Sequence, residues 1–198
     1  MQGVKLEDLR KKHTEIDRAF WYAVKAHKGQ KRKDGVTPYI SHPIEVAEIT
    51  GTMTSDPRVI AAALLHDVVE DTPVKIYDLV RVFGVFIADL VADETENKRS
   101  DQPAEDTWEV RKKEMIVRIG SASKEAKMIS LADKLSNLRS IKKDLQENGD
   151  VIWTWFHQDK AKQTWYYRTI REQYTGLKST AAWKQYDSLV KEIFETDL

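Results

Sequence analysis

Val59-Ile60-Ala61-Ala62-Ala63-Leu64-Leu65-His66-Asp67-Val68-Val69-Glu70-Asp71 is the stretch on which the fold class turns. Its first seven residues are all apolar, so a helix built from them has no polar face and must be buried on every side. Asp56-Pro57 stands just ahead of it. Asp is a good N-cap, and Pro suits the first helical position, where no backbone donor is needed. The sequence therefore predicts a central buried helix that ends in four ionisable side chains.

Around this helix the helical period recurs. Leu6, Leu9, His13, Ile16, Phe20, Ala23, Val24 and His27 fall at spacings of three and four, one face of an amphipathic helix. A second helix is expected from His42 to Met53. Downstream, Thr72-Pro73 is expected to cap a helix carrying Ile76, Leu79, Val80 and Phe83 and closed by Gly84. A short helix from Val85 to Ala92 follows, then a polar loop over 93–107. Further helices are expected over Trp108–Ile119, Lys124–Ile141, Asp159–Tyr174 and Ala181–Phe194, with a break at 146–150 (QENGD). No segment alternates with period two over a useful length. Asp34-Gly35 lies in a basic loop, Lys28–Tyr39, and not between alternating runs. The expectation is an all-α chain of eight or nine helices, forming one domain over 1–198 with its core at about 6–195.

The chain has 198 residues, 41% of them hydrophobic, enough for a true core. Lys+Arg and Asp+Glu both number 32, so net charge gives no argument for a nucleic-acid or membrane partner. With no cysteine there is no disulfide, thiolate catalysis or Cys-containing zinc site. A metal would have to be held by His and carboxylates. The N-terminal MQGVKLEDLRKKH has no apolar core of a secretory signal, and no run of about 18 apolar residues is present, so a cytoplasmic location is expected.

The chemistry concentrates in His66, Asp67, Glu70 and Asp71. Residues 66 and 70, and 67 and 71, are i,i+4 pairs and share one region of the helix end. Ionisable groups beside a buried segment are costly unless compensated, and a divalent cation would do so. The plainer reading is a solvated helix C-terminus, but acids are disfavoured at the negative end of the helix dipole. His42, in Pro38-Tyr-Ile-Ser-His-Pro43, read by itself is more often a cap or a core histidine than a ligand. Asp133 belongs to a polar stripe (Ser130, Asp133, Asn137, Ser140) beside the apolar face Met128, Leu131, Ala132, Leu135, Leu138. Such a stripe lines a cavity or merely marks an amphipathic boundary. Taken together, His42, His66, Asp67 and Asp133 supply two imidazoles and two carboxylates. That set suits octahedral Mn²⁺, with Zn²⁺ and Fe²⁺ also compatible.

These residues resemble the HD-domain phosphohydrolases, named for a His-Asp pair such as His66-Asp67. Arg32-Lys-Asp-Gly35, Thr37-Pro-Tyr-Ile-Ser-His-Pro43, Ala63-Leu-Leu-His-Asp-Val-Val-Glu-Asp-Thr72 and Leu131-Ala-Asp-Lys-Leu-Ser-Asn-Leu-Arg139 are similar to the hydrolase domain of Rel/SpoT proteins. Over about 6–195 the chain resembles the stand-alone small alarmone hydrolases. The resemblance implies metal-dependent removal of the 3′-diphosphate of ppGpp or pppGpp, giving GDP or GTP and pyrophosphate. It implies His42, His66, Asp67 and Asp133 as metal ligands, and Glu70 and Asp71 as the pair that orients and activates water. Arg32 and Lys33 would flank base and phosphates, Asn137 the ribose or base, and Lys162 and Tyr166 the phosphates.

Two other function classes stay open at this point. One keeps the chemistry on another nucleotide, such as removal of the NADPH 2′-phosphate. The other is a nucleotide-sensing or antitoxin protein of the same fold, against which the intact His-Asp and Glu-Asp pairs argue. A nucleic-acid partner is not expected, and the oligomeric state is left open.

Overall fold

Asp56 caps the central helix as its chemistry dictates: its carboxylate accepts from the Arg58 amide at 2.9 Å, and Pro57 opens the helix. This is the third helix in a computed structural model describing residues 6–99 and 101–195, with side chains described from residue 15. Leu6, Leu9 and His13, expected on the apolar face of the first helix, lie outside the residues with described side chains.

Helices α1 (Leu6–Ala26), α2 (Ser41–Gly51), α3 (Pro57–Leu65), the single turn α4 (Val68–Asp71), α5 (Ile76–Phe83) and α6 (Val85–Glu94) belong to one compact unit ending at Thr95. Val59, Ala61, Ala62, Ala63 and Leu65 are fully buried, as the unbroken apolar run predicts. The alanines leave room for α1, α2 and α6 to pack directly on α3, while α5 packs on α6. On the α1 face, Ala19, Ala23 and His27 are buried. Gly84 closes α5 with φ at 83°, a left-handed conformation that glycine adopts without steric cost.

The second compact unit runs from Glu96. It holds α7 (Ala104–Ser121), α8 (Lys124–Asn148), a 3₁₀ helix (Gly149–Trp155), α9 (Lys160–Arg171) and α10 (Ala181–Phe194). α8 packs on α7, α10 and the 3₁₀ helix, and α9 packs on α7 and α10. Side-chain caps begin three of these helices: Ser123 accepts from Ala126 N, Asp159 from Lys162 N, and Thr180 from Trp183 N. Each satisfies one of the orphan donors of a first turn.

The all-α expectation holds: among the described residues the regular elements are helical, apart from an isolated bridge between Lys31 and Pro38. Two local expectations are corrected, and a third is sharpened to one residue. Thr72-Pro73 does not cap α5. The Thr72 hydroxyl turns back to donate to Val68 O at 2.6 Å, and α5 starts at Ile76, where the Asp78 carboxylate accepts from Lys75 N. The loop expected over 93–107 is shorter, because α6 continues to Glu94 and α7 begins at Ala104. The break expected at 146–150 falls at Gly149, whose φ of 65° ends α8.

Candidate metal centre and active site

His66 is the C-cap of α3 and Asp67 the N-cap of α4, so the chain turns between a buried helix and a single helical turn. The turn lets His66 stay 2% exposed while Glu70 and Asp71 are half-buried. His66 Nδ1 lies 2.8 Å from Ala63 O. A carbonyl only accepts, so Nδ1 carries the hydrogen, and in neutral imidazole Nε2 keeps its lone pair.

His42, in the first turn of α2, is also buried. Its ring meets that of His66 edge-on at 5.2 Å. Both Nε2 atoms approach one carboxylate oxygen: Asp67 Oδ2 is 3.0 Å from His66 Nε2 and 3.5 Å from His42 Nε2. The His66 Nε2 lone pair and the Asp67 carboxylate oxygen repel each other unless a positive charge lies between them, and His42 Nε2 faces the same oxygen. A divalent cation fits this donor set.

Tyr39 adds a contact that the sequence reading missed. Its hydroxyl lies 2.7 Å from Asp67 Oδ2 and 2.8 Å from Asp71 Oδ2. Burial, and then the two carboxylates, push the phenol far above its ordinary range. It therefore remains protonated at neutral pH and donates. Behind it, Gln30 donates from Nε2 to Asp71 O at 2.8 Å and accepts at Oε1 from His27 Nδ1 at 2.7 Å. The signal for Tyr39 was its place in Thr37–Pro43, three residues before His42. For His27 it was a histidine on the apolar face of α1.

Arg32 lies with its guanidinium 5.7 Å from the Tyr39 ring centroid. Its loop is closed by the Lys31–Pro38 bridge and by Asp34, whose carboxylate accepts from Val36 N, Thr37 N and the Thr37 hydroxyl. Lys33 is exposed on the same loop. The structure thus gathers His42, His66, Asp67 and Asp71 in the first unit, with Arg32 beside them.

Within the second unit, Asp133 is 7% exposed on α8. Asn137 Nδ2 donates to its Oδ1 at 2.7 Å, and Lys134 Nζ donates to Oδ2. The i,i+4 bond explains the polar stripe read from the sequence, although Ser130 is fully buried. Lys134, not singled out from the sequence, is buried beside Asp133. Tyr166 is 3% exposed, packs against Trp108, and carries Lys112 Nζ 4.9 Å from its ring centroid. Burial raises its phenol well above the ordinary range. Lys162 is exposed and donates to Gln158 Oε1 at 2.8 Å.

Residues 19–156 match the HD domain. The chain belongs to the HD-domain family. It is 39% identical over 142 residues to the guanosine-3′,5′-bis(diphosphate) 3′-pyrophosphohydrolase MESH1 of Drosophila melanogaster, covering 70% of this chain and 74% of that protein. It is 43% identical over 124 residues to the protein of the same name from Danio rerio, covering 61% and 65%. Among solved structures, a metazoan ortholog of SpoT that hydrolyzes ppGpp and plays a role in starvation responses superposes with a TM-score of 0.73. The identity is 31%, covering 90% of this chain and 94% of that one. No helix among the described residues is long and apolar enough to cross a membrane.

Proposed function

We propose that this HD-domain protein is a guanosine-3′,5′-bis(diphosphate) 3′-pyrophosphohydrolase, acting on ppGpp or pppGpp. The observation that carries the reading is the convergence of the His42 and His66 Nε2 atoms on Asp67 Oδ2, with the Asp71 carboxylate tied to the same oxygen through Tyr39. Family membership and the activity named for the Drosophila and Danio relatives support it.

In this reading His42, His66 and Asp67 are metal ligands, with Asp133 as the second carboxylate by the family resemblance. The two compact units then act as one hydrolase domain. Mn²⁺ suits this mixed imidazole and carboxylate ligation, and Zn²⁺ or Fe²⁺ are also compatible. These residues would hold a divalent cation, which would supply Lewis acidity and make water a better nucleophile near neutral pH.

The chain's own groups complete the reaction. Glu70 and Asp71 orient the attacking water and accept its proton. The oxygen adds to the phosphorus next to the 3′ position and the bond to O3′ breaks. O3′ gains a proton, releasing GDP or GTP, and the 3′-diphosphate leaves as pyrophosphate. Arg32, Lys33 and Lys162 bring cationic charge to a highly anionic substrate, and Asn137 and Tyr166 contact base, ribose or phosphates. The substrate is a free nucleotide, which fits a cytoplasmic site of action without nucleic-acid or membrane partners.

The test is identification of products by ion-exchange chromatography after incubation with ppGpp and Mn²⁺, beside parallel reactions with NADPH. GDP and pyrophosphate in equal amounts are expected. Orthophosphate from NADPH, with ppGpp untouched, would keep the HD chemistry and overturn the substrate.

A further inference from the structure

Two acidic side chains on one helical turn repel each other, yet Asp67 and Asp71 turn the same carboxylate edge toward a single hydroxyl. That hydroxyl belongs to Tyr39, on the segment joining the basic loop to α2. We infer that Tyr39 is a positioning residue for hydrolysis. Its hydroxyl clamps the carboxylates of Asp67 and Asp71 in one relative orientation, and Gln30 and His27 brace the clamp. The inference rests on the roles proposed above for Asp67 and Asp71.

Three features make this more than a packing contact. First, the Tyr39 hydroxyl is within hydrogen-bond distance of both the ligand carboxylate and the water-orienting one, so its single proton is shared between them and rotation of either carboxylate disturbs the shared charge-assisted contact. Second, the main chain is fixed at both ends by Gln30. Gln30 O accepts from Tyr39 N at 3.0 Å, and Gln30 Nε2 donates to Asp71 O at the end of α4. Third, the brace has one sense only. A carbonyl can only accept, so the Gln30 amide must present Nε2 to Asp71 and Oε1 to His27 Nδ1–H. The His27 ring then packs 4.9 Å from the Tyr39 ring. Asp71 is thus held at its backbone by Gln30 and at its carboxylate by Tyr39. Groups that orient metal ligands from behind typically govern metal affinity and turnover by about 10–100-fold.

The test is Tyr39→Phe, which keeps the ring and removes the hydroxyl. Three quantities are measured: Mn²⁺ affinity by calorimetric titration without nucleotide, steady-state kinetics with ppGpp, and thermal unfolding in EDTA. The clamp predicts Mn²⁺ binding weaker by about tenfold and kcat lower by about 10–100-fold, with KM changed less than about twofold. A purely structural tyrosine would instead lower the unfolding temperature and leave both ratios alone. Wild-type Mn²⁺ affinity and wild-type kcat in Tyr39→Phe would overturn the inference. Should that variant fail to fold, Gln30→Met is read on the same two quantities. Lowered kcat with weaker Mn²⁺ binding supports the brace, and wild-type values overturn it. If the wild-type protein leaves ppGpp intact, the substrate reading fails, while the nucleotide-free Mn²⁺ titration still decides the clamp.

Discussion

The two compact units meet their inner acids differently. In the second, Glu96 is bound by Arg111 Nη1 at 2.7 Å and Lys112 Nζ at 2.6 Å, with all three side chains largely buried. Burial works to raise the Glu96 carboxyl, but Lys112, Lys134 and Arg111 outweigh it and hold it below the ordinary carboxylate range. In the first, Asp67 and Asp71 meet a phenol hydroxyl, and Asp67 also meets two imidazoles. Glu96 is an internal ion pair, and its geometry ties the start of the second unit to α7. In the proposed reading Asp67 and Asp71 take a further charge. The contrast is between an acid compensated by its own cations and acids that share a hydroxyl and two imidazoles.

The largest effect expected from breaking the contrast is Asp67→Ala. It removes the oxygen on which both imidazoles converge, and kcat/KM for ppGpp should fall by more than about 1,000-fold, measured by pyrophosphate release. Glu70→Ala and Asp71→Ala should each lower kcat by about 10²–10⁴-fold, as loss of a general acid–base group does, while calorimetry still finds Mn²⁺ bound. Unchanged turnover in either would contradict its assigned role.

Glu96→Gln should act in the opposite sense. It leaves two cations without their partner and should cost about 3 kcal/mol of stability in thermal unfolding, with Mn²⁺ affinity retained. The pH dependence follows from the lowered carboxyl. Its contribution is fully present above the ordinary carboxylate range and is lost as pH falls through the lower folded-state value. The gap in unfolding temperature between wild type and Glu96→Gln should therefore narrow in acid. Saturating Mn²⁺ at about 100 times its dissociation constant should stabilise the wild type by about 2.7 kcal/mol and Asp67→Ala by much less. The smallest effect is expected at the cap of α3, where Asp56→Ala should cost about 1 kcal/mol.

Much of this was legible in the sequence because local rules governed it. The run Val59–Leu65 had to be buried, and Asp56-Pro57 had to begin its helix. The limits of α10 followed directly from periodicity. Where tertiary contacts decide, the sequence was silent. Thr72 had two local options, capping the next helix or bonding back to Val68, and its residue type favours neither. The residues proposed as ligands were legible as residue types with fitting spacings. Tyr39 and Gln30 were not, because their bonds to Asp67 and Asp71 bridge 28 to 41 residues of chain and leave no periodic trace. Tyr166 shows the same limit: sequence alone did not reveal how deeply its ring is buried.

The most direct test of the central claim is pyrophosphate release from ppGpp by metal-stripped wild-type protein, before and after Mn²⁺ is restored, with Asp67→Ala in parallel. The account predicts no release from the stripped protein, release on adding Mn²⁺ to the wild type, and none from Asp67→Ala. Equal release with and without metal, or from Asp67→Ala, would contradict it.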